Sequence, residues 1–205
     1  DAVEHWAGAS LWTHLAGATT QPSFVATSVG HGYGATTTVT YKPSSAWTNT
    51  NNPPLTPTVA TIATNDGRGI VRTTTYTYSG GNWDAADRRF LGFRYQKSAD
   101  TSGAYREVYF YQGAAYSVGE IEDVYYKTSA GGVMERQYRT VANPPGVTNA
   151  APYQRLLLQD DRYECSGDAT CKNTRIAYTY NGYGQATQKI EHGDVAVTGD
   201  ERGEY

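Results

Sequence analysis

Four charged residues fall within six positions of one segment, Asp84, Asp87, Arg88 and Arg89 in NWDAADRRFLGF. Two carboxylates this close could share acid and base work, with the guanidinium groups holding an anionic substrate. The same residues also suit a turn between strands, where they form ion pairs and cap free backbone groups. Phe90, Leu91 and Phe93 would then anchor the segment in a core. Each arginine lies within two residues of an acid, a spacing common in structural turns, so the cluster is read as a structural clasp. No catalytic residue is assigned, and the balance leans against an enzyme.

Other chemistry-bearing residues are scattered. His14, His31 and His192 each sit in or near a Gly-containing segment. With Tyr33 and a neutralising arginine, one of them could remove a proton beside a uronic carboxylate, as in a polysaccharide lyase. Nothing in the spacing demands that, and a hydrogen-bonded loop histidine is the simpler reading. Trp47 and Trp83 stand in expected loops or turns and could stack on sugars, as in a carbohydrate-binding or adhesive β-module. They could equally serve as lids on the core. No Ser is framed as GxSxG, and neither HExxH nor GxxxxGK[ST] occurs, so hydrolase, zincin and P-loop readings lose their usual support. Asn65-Asp66-Gly67 lacks the alternating acids and distal Glu of a calcium loop. No cofactor or metal is expected.

The two cysteines, Cys165 and Cys171, stand in ECSGDATCK. The intervening loop, with Gly167, can bring the two Cα atoms within the roughly 4.4–6.8 Å a disulfide needs. Two free thiols are the alternative. A metal site would want four ligands, and no His or further Cys lies nearby. A disulfide would imply an oxidising, exported setting.

The elements that must position these residues read as strands. Among 205 residues there are 18 Tyr against 4 Phe and 1 Met, so buried aromatic surface brings hydroxyls that need partners. Tyr, Thr, Val and Gly in this abundance suit strands joined by tight turns, and no long segment shows apolar residues at helical spacing. In Val71–Tyr78, Tyr76 and Tyr78 fall on one face and threonines on the other. Further strands are expected at Phe24–Val29, Ala35–Tyr41, Val59–Thr64, Arg106–Tyr111, Ile121–Lys127, Val133–Val141, Tyr153–Glu164, Asn173–Tyr180 and Gln185–His192. Lys42–Pro57, with four prolines, is expected to be an exposed loop, and Gly193–Tyr205 a polar tail. Residues 1–30 form a lead-in in which Trp6, Leu11, Trp12 and Leu15 permit a short helix. The net charge of −3 with scattered Lys and Arg argues against nucleic-acid binding. No apolar run approaches the roughly 20 residues that span a bilayer. The start, Asp1-Ala2-Val3, carries no signal peptide and reads as that of a mature product or a piece of something longer.

Four segments repeat a strand ending in Tyr, a turn and a strand: VTYKPSSAW, YTYSGGNW, VYYKTSAGGVMERQY and YTYNGYGQATQKI. The last two are similar to YD repeats, with Lys127 and Asn181 in place of the Asp. Longer stretches, GYGATTTVTYKPSS, TNDGRGIVRTTTYTYSGGNWDAADRRFLGFRYQ and YGQATQKIEHGDVAVTGDE, resemble the middle region of the B component of bacterial toxin complexes and related SpvB-type and Rhs (YD-repeat) proteins. The DAADRRFLGF segment is the most specific part. The resemblance implies a large all-β, curved or spiralling sheet of antiparallel hairpins that forms part of a shell enclosing a toxin. It also implies a bacterial, secreted setting and, as partners, other segments or subunits of the complex. It divides the chain into the lead-in, a toxin-complex-like region at 31–142, and YD-like hairpins with the cysteine loop at 153–205. No counterpart of the family's aspartyl self-cleavage motif is seen.

Overall fold

The computed structural model describes residues 25–51, 53–143, 154–167 and 170–204. The strands are β1 (Ser28–Gly30), β2 (Thr36–Pro43), β3 (Thr48–Asn49), β4 (Pro57–Asn65), β5 (Val71–Gly81), β6 (Trp83–Asp84), β7 (Arg89–Phe90) and β8 (Tyr95–Ala99). There follow β9 (Tyr105–Phe110), β10 (Ile121–Lys127), β11 (Val133–Ala142), β12 (Leu156–Cys165), β13 (Cys171–Tyr180), β14 (Ala186–Asp194) and β15 (Arg202–Glu204). All but β6 and β7 belong to one 13-stranded sheet, in the order β1-β2-β4-β5-β8-β9-β10-β11-β12-β13-β14-β15, with β3 beside β5. Neighbours along that order are antiparallel, and only β3 runs parallel to its partner. The sheet does not close into a barrel. The all-β expectation holds, and among the described residues regular helix is confined to two short 3-10 turns at Gly32–Gly34 and Ser44–Ala46.

Every main-path strand lies beside its nearest neighbour in sequence, apart from the β3 and β6–β7 excursions, so tight turns do most of the connecting. Gly67 at φ 77 shows why these turns need glycine. A Cβ there would lie 2.7 Å from the Tyr33 carbonyl oxygen of the adjacent turn.

Few side chains are buried. Among the described residues the apolar ones are Ala60, Leu91, Val108, Val124 and Leu156. Val108 and Val124 face each other across β9 and β10 and extend a cross-strand row through Gln96 to Tyr78. Leu91 and Phe93, from the segment that carries the β6–β7 hairpin, line an apolar hollow with Tyr78, Gln96 and Phe110. The other two buried apolar residues, Ala60 and Leu156, stand on β4 and β12.

Lys42–Pro57 departs from the expected exposed loop. Lys42 and Pro43 finish β2, with Pro43 opposite Pro57 of β4 at the strand ends, where a missing N–H does least harm to the ladder. Ser44 is fully buried, its hydroxyl donating to the Pro54 carbonyl and accepting from the Thr56 N–H. The chain then returns as β3. The tail also holds an unexpected strand, β15, paired with β14. The lead-in helix, the first residue of the Phe24–Val29 strand and most of the second Pro-rich loop lie outside the described residues, and the described end of that strand stands as β1. No helix among the described residues is long and apolar enough to cross a membrane.

Candidate functional site

The Asp84–Arg89 segment is the turn of the β6–β7 hairpin, where Trp83 pairs with Phe90 and Asp84 with Arg89. The Asp84 Oδ1 accepts the N–H groups of Ala86 (3.0 Å) and Asp87 (3.2 Å). This is the local capping for which Asp is favoured in turns. Asp87 and Arg89 pair at 3.4 Å on the surface. Arg88 sits at φ 52, a left-handed conformation in which a non-glycine residue costs on the order of 1 kcal/mol. Behind the turn, Phe90 packs edge-on against Phe93 with ring centres 5.6 Å apart, Phe93 meets Tyr78 at 5.1 Å, and Tyr78 meets Trp47 at 5.4 Å. Gln112 donates to the carbonyls of Gly80 and Gly92 and so ties both ends of the segment together.

The Trp47 ring is engaged on several sides. Its Nε1 donates to the Thr58 hydroxyl at 2.7 Å, its edge meets Tyr78, and the Lys42 ammonium lies 5.1 Å from its centre. Trp83 is half-buried in β6. His31 bonds to the Thr37 hydroxyl at 2.9 Å, and the adjoining Tyr33 is fully exposed at φ 63. His192 lies far across the sheet in β14, opposite Arg175 of β13. His14 lies outside the described residues. These groups therefore do not converge. No cluster of His, Cys, Asp and Glu among the described residues is arranged to hold a metal. Cys165 and Cys171 face each other at the ends of β12 and β13, with Cα atoms 4.1 Å apart, and are joined as a disulfide.

The densest chemistry is a lattice on one face of the sheet that sequence reading does not find. Strand register lines up Ser79, Tyr95, Tyr109, Asp123, Tyr138, Asp161, Arg175 and His192 across eight strands, from β5 to β14. Beside that row runs a second, Thr77, Lys97, Glu107, Tyr125, Arg136, Tyr163 and Asn173. Charged residues and tyrosines are interspersed along both. Arg136 makes a bidentate pair with Asp123, at 2.7 Å from Nη2 and 3.0 Å from Nε. Its guanidinium also lies 5.0–5.3 Å from the ring centres of Tyr125, Tyr138 and Tyr163. Lys127 donates to Glu107 at 2.6 Å, and the Tyr95 hydroxyl donates to the other Glu107 oxygen at 2.7 Å. Asp161, 1% exposed, accepts from Arg175 at 2.6 Å and from Gln159.

The electrostatics follow from these contacts. Burial pushes the Tyr125 phenol up to about 12, with Asp123 adding to the shift. Burial and Glu122 do the same for Tyr111, also to about 12. Burial and the bond to Glu107 raise Tyr95 as well. For Glu107, burial opposes the charge, but the hydrogen bonds from Lys127 and Tyr95 more than offset it and hold the carboxyl below its usual range. The bond to Glu107 raises the Lys127 ammonium. Each shift strengthens the form that bonds to its neighbour.

Tyrosines and charged residues share the segments YREVY, DVYYK, RQYR and DRYE, but only the strand register sets them opposite one another. A pleated sheet with tyrosines and ion pairs on one face and a small apolar patch on the other is a structural, single-layer β-assembly. The chain belongs to the family of the insecticide toxin TcdB middle/N-terminal region, whose model matches residues 5–123.

Solved structures agree at the level of fold. The TcdB2-TccC3-Cdc42 crystal structure matches with a TM-score of 0.61 and 13% identity over 78% of this chain and 12% of that chain. The crystal structure of TcdB2-TccC3 without its hypervariable C-terminal region gives 0.60 and 13%, over 78% and 11%. The Tc holotoxin pore of Photorhabdus luminescens gives 0.60 and 12%, over 78% and 11%. The chain thus spans about a tenth of the length of these structures. Comparison with the curated proteins gave no match.

Proposed function

We propose that this chain is a non-catalytic wall segment of a secreted bacterial toxin-complex shell, which acts by enclosing or presenting a toxin and by contacts with other segments or subunits of the complex. The observation that carries this reading is the open sheet, with few buried apolar side chains and one face spanned by the tyrosine–ion lattice. Such a layer gains stability from cross-strand pairs, strand by strand, and gives a broad surface instead of a cleft. Membership of the TcdB middle-region family supports it, as does the fold shared with toxin-complex structures. The disulfide is consistent with export. On this reading the Asp84–Arg89 hairpin is a structural clasp, Trp47 and Trp83 are packing residues, and the Tyr-turn segments are diverged YD repeats.

The test is protease protection. The polypeptide that carries this sequence is co-expressed with its toxin-bearing partner, and digestion of the toxin region is followed over time. Protection is expected in the native pair. It should be lost when Asp123→Asn and Asp161→Asn are combined to loosen the lattice. Protection unchanged by a demonstrably unfolded sheet would count against the reading, as would activity on a polysaccharide abolished by His31→Ala.

A further inference from the structure

On the face opposite the tyrosine–ion lattice, near the turns that join β8 to β9 and β10 to β11, the sheet carries an open hollow of about 520 Å³. Register sets Ser98, Arg106, Tyr126 and Glu135 in one row across β8, β9, β10 and β11, and all four line it. Arg106 and Tyr126 alternate with Glu107 and Tyr125 of the lattice, which fixes their face. The pairing of β10 with β11 shifts between Tyr126 and Lys127, so that Glu135 and Val133 take these two partners and Met134 is the extra residue of a bulge. A bulge re-aims side chains. Met134, 54% exposed, and Tyr126, 43% exposed, give the hollow its apolar surface.

The charges around the hollow are committed, with one exception. Lys127 donates its ammonium to Glu107 at 2.6 Å, and Glu135 lies 3.3 Å from Arg162. The Asp100 Oδ1 accepts from the N–H and the hydroxyl of Ser102 in its own turn. Arg106 pairs with no carboxylate among the described residues. Its guanidinium carbon lies 5.7 Å from the Tyr126 ring centre, and its Nε is buried without an acceptor. A buried N–H left unbonded is costly, and a ligand oxygen that reaches it removes that cost.

These side chains define the chemistry of an occupant. A carboxylate presents two oxygens in the geometry of the guanidinium fork. Asp100 and Glu135 oppose any further negative charge, which selects against phosphate groups. Tyr126 and the pliable Met134 suit an apolar side chain next to the carboxylate, and Thr74 and Ser98 add hydroxyls able to bond a peptide group. We propose that this hollow is a docking site for a peptide segment of another polypeptide in which an Asp or Glu adjoins an apolar residue. Arg106 holds the carboxylate, and Tyr126 and Met134 hold the apolar group. The site stands on these side chains and not on the shell reading, so peptide binding and protease protection can fail separately.

Met134 is the one methionine of the 205-residue chain, so a labelled methionine methyl gives a single NMR signal at the site. Titration with N-acetyl-Leu-Glu-Leu-amide should move that signal saturably, and the Leu-Gln-Leu counterpart should bind about tenfold more weakly or worse. Arg106→Gln should weaken the Glu peptide by a similar factor, with a thermal transition matching that of the native chain showing an intact fold. Arg106→Lys, which keeps the charge without the fork, should fall between. If Arg106→Gln does not fold, Tyr126→Ala at the exposed rim takes its place and should also weaken binding. Inorganic phosphate and glucuronate should each bind less tightly than the Glu peptide. A signal that the Glu peptide leaves unmoved would overturn the proposal, and that is also the outcome if residues of the same chain fill the hollow. Equal binding of the Gln peptide, undiminished binding in the folded variant, or phosphate or glucuronate binding as tightly as the Glu peptide would overturn it as well.

Discussion

At the scale of the residue, Arg136 shows what the lattice demands. It binds Asp123 in bidentate fashion while three tyrosine rings lie near its guanidinium plane. A lysine keeps the charge but loses the fork and the stacking, so Arg136→Lys should lower stability by about 1–2 kcal/mol in urea unfolding. Asp161→Asn should do more, about 2–3 kcal/mol, because it strands part of the Arg175 charge beside a buried position. The lattice also sets the pH limits of the fold. Tyr111 and Tyr125 titrate near 12 in the folded chain, above the value of about 10 for an unfolded tyrosine. Their contribution is complete below pH 10 and is lost as pH rises toward 12. Glu107 has the opposite sign. Its folded value is depressed, so its contribution is present above the ordinary glutamate range and disappears as pH falls through the folded value. Thermal melts across pH should therefore show both limbs, with Tyr125→Phe flattening the alkaline one and Glu107→Gln the acid one.

At the scale of the element, the turns hold one another in place. Gly132, in the β10–β11 turn, lies so close to the cysteine loop that a Cβ there would stand 2.4 Å from the Gly167 carbonyl oxygen. The Gly167 N–H donates to the Val133 carbonyl at the same point. Gly132→Ala should push the two turns apart at about 1–3 kcal/mol, measured by the shift in urea midpoint. Reduction of the Cys165–Cys171 bond should cost about 2 kcal/mol, small because the loop it closes is short. How far these elements were legible in the sequence depended on what defined them. Ile121–Lys127 was read to the residue, because alternation and turn residues bracket it. The Val71–Tyr78 strand runs on to Gly81, where the chain passes against Asn49 of β3, a close approach that no local pattern announces. Lys42–Pro57 departs from an exposed loop because Pro43 and Pro57 fall at strand ends and the hydroxyl of buried Ser44 is satisfied by residues ten or more positions away. The β15 strand escaped because a charged three-residue edge carries no apolar alternation. The lattice could not be read at all without register, since shifting one strand by one residue sends every tyrosine to the opposite face.

At the scale of the whole molecule, the sheet is wide and its buried apolar side chains few, so stability is spread over many cross-strand pairs. Val108, 2% exposed and opposite Val124, is the most buried of them, and Val108→Ala should cost about 2 kcal/mol in chemical denaturation. A layer of this kind suits a wall, since each added hairpin extends the surface without needing a new centre. The family assignment and the toxin-complex fold give that geometry its setting. The proposed role as shell wall is tested most directly by an electron cryo-microscopy map of the polypeptide that carries this sequence. The account predicts that β4 to β14 lie in one continuous β-wall around an internal volume, with the sheet joined to further strands. A map in which residues 25–204 form a separate closed body with a deep polar cleft would contradict it.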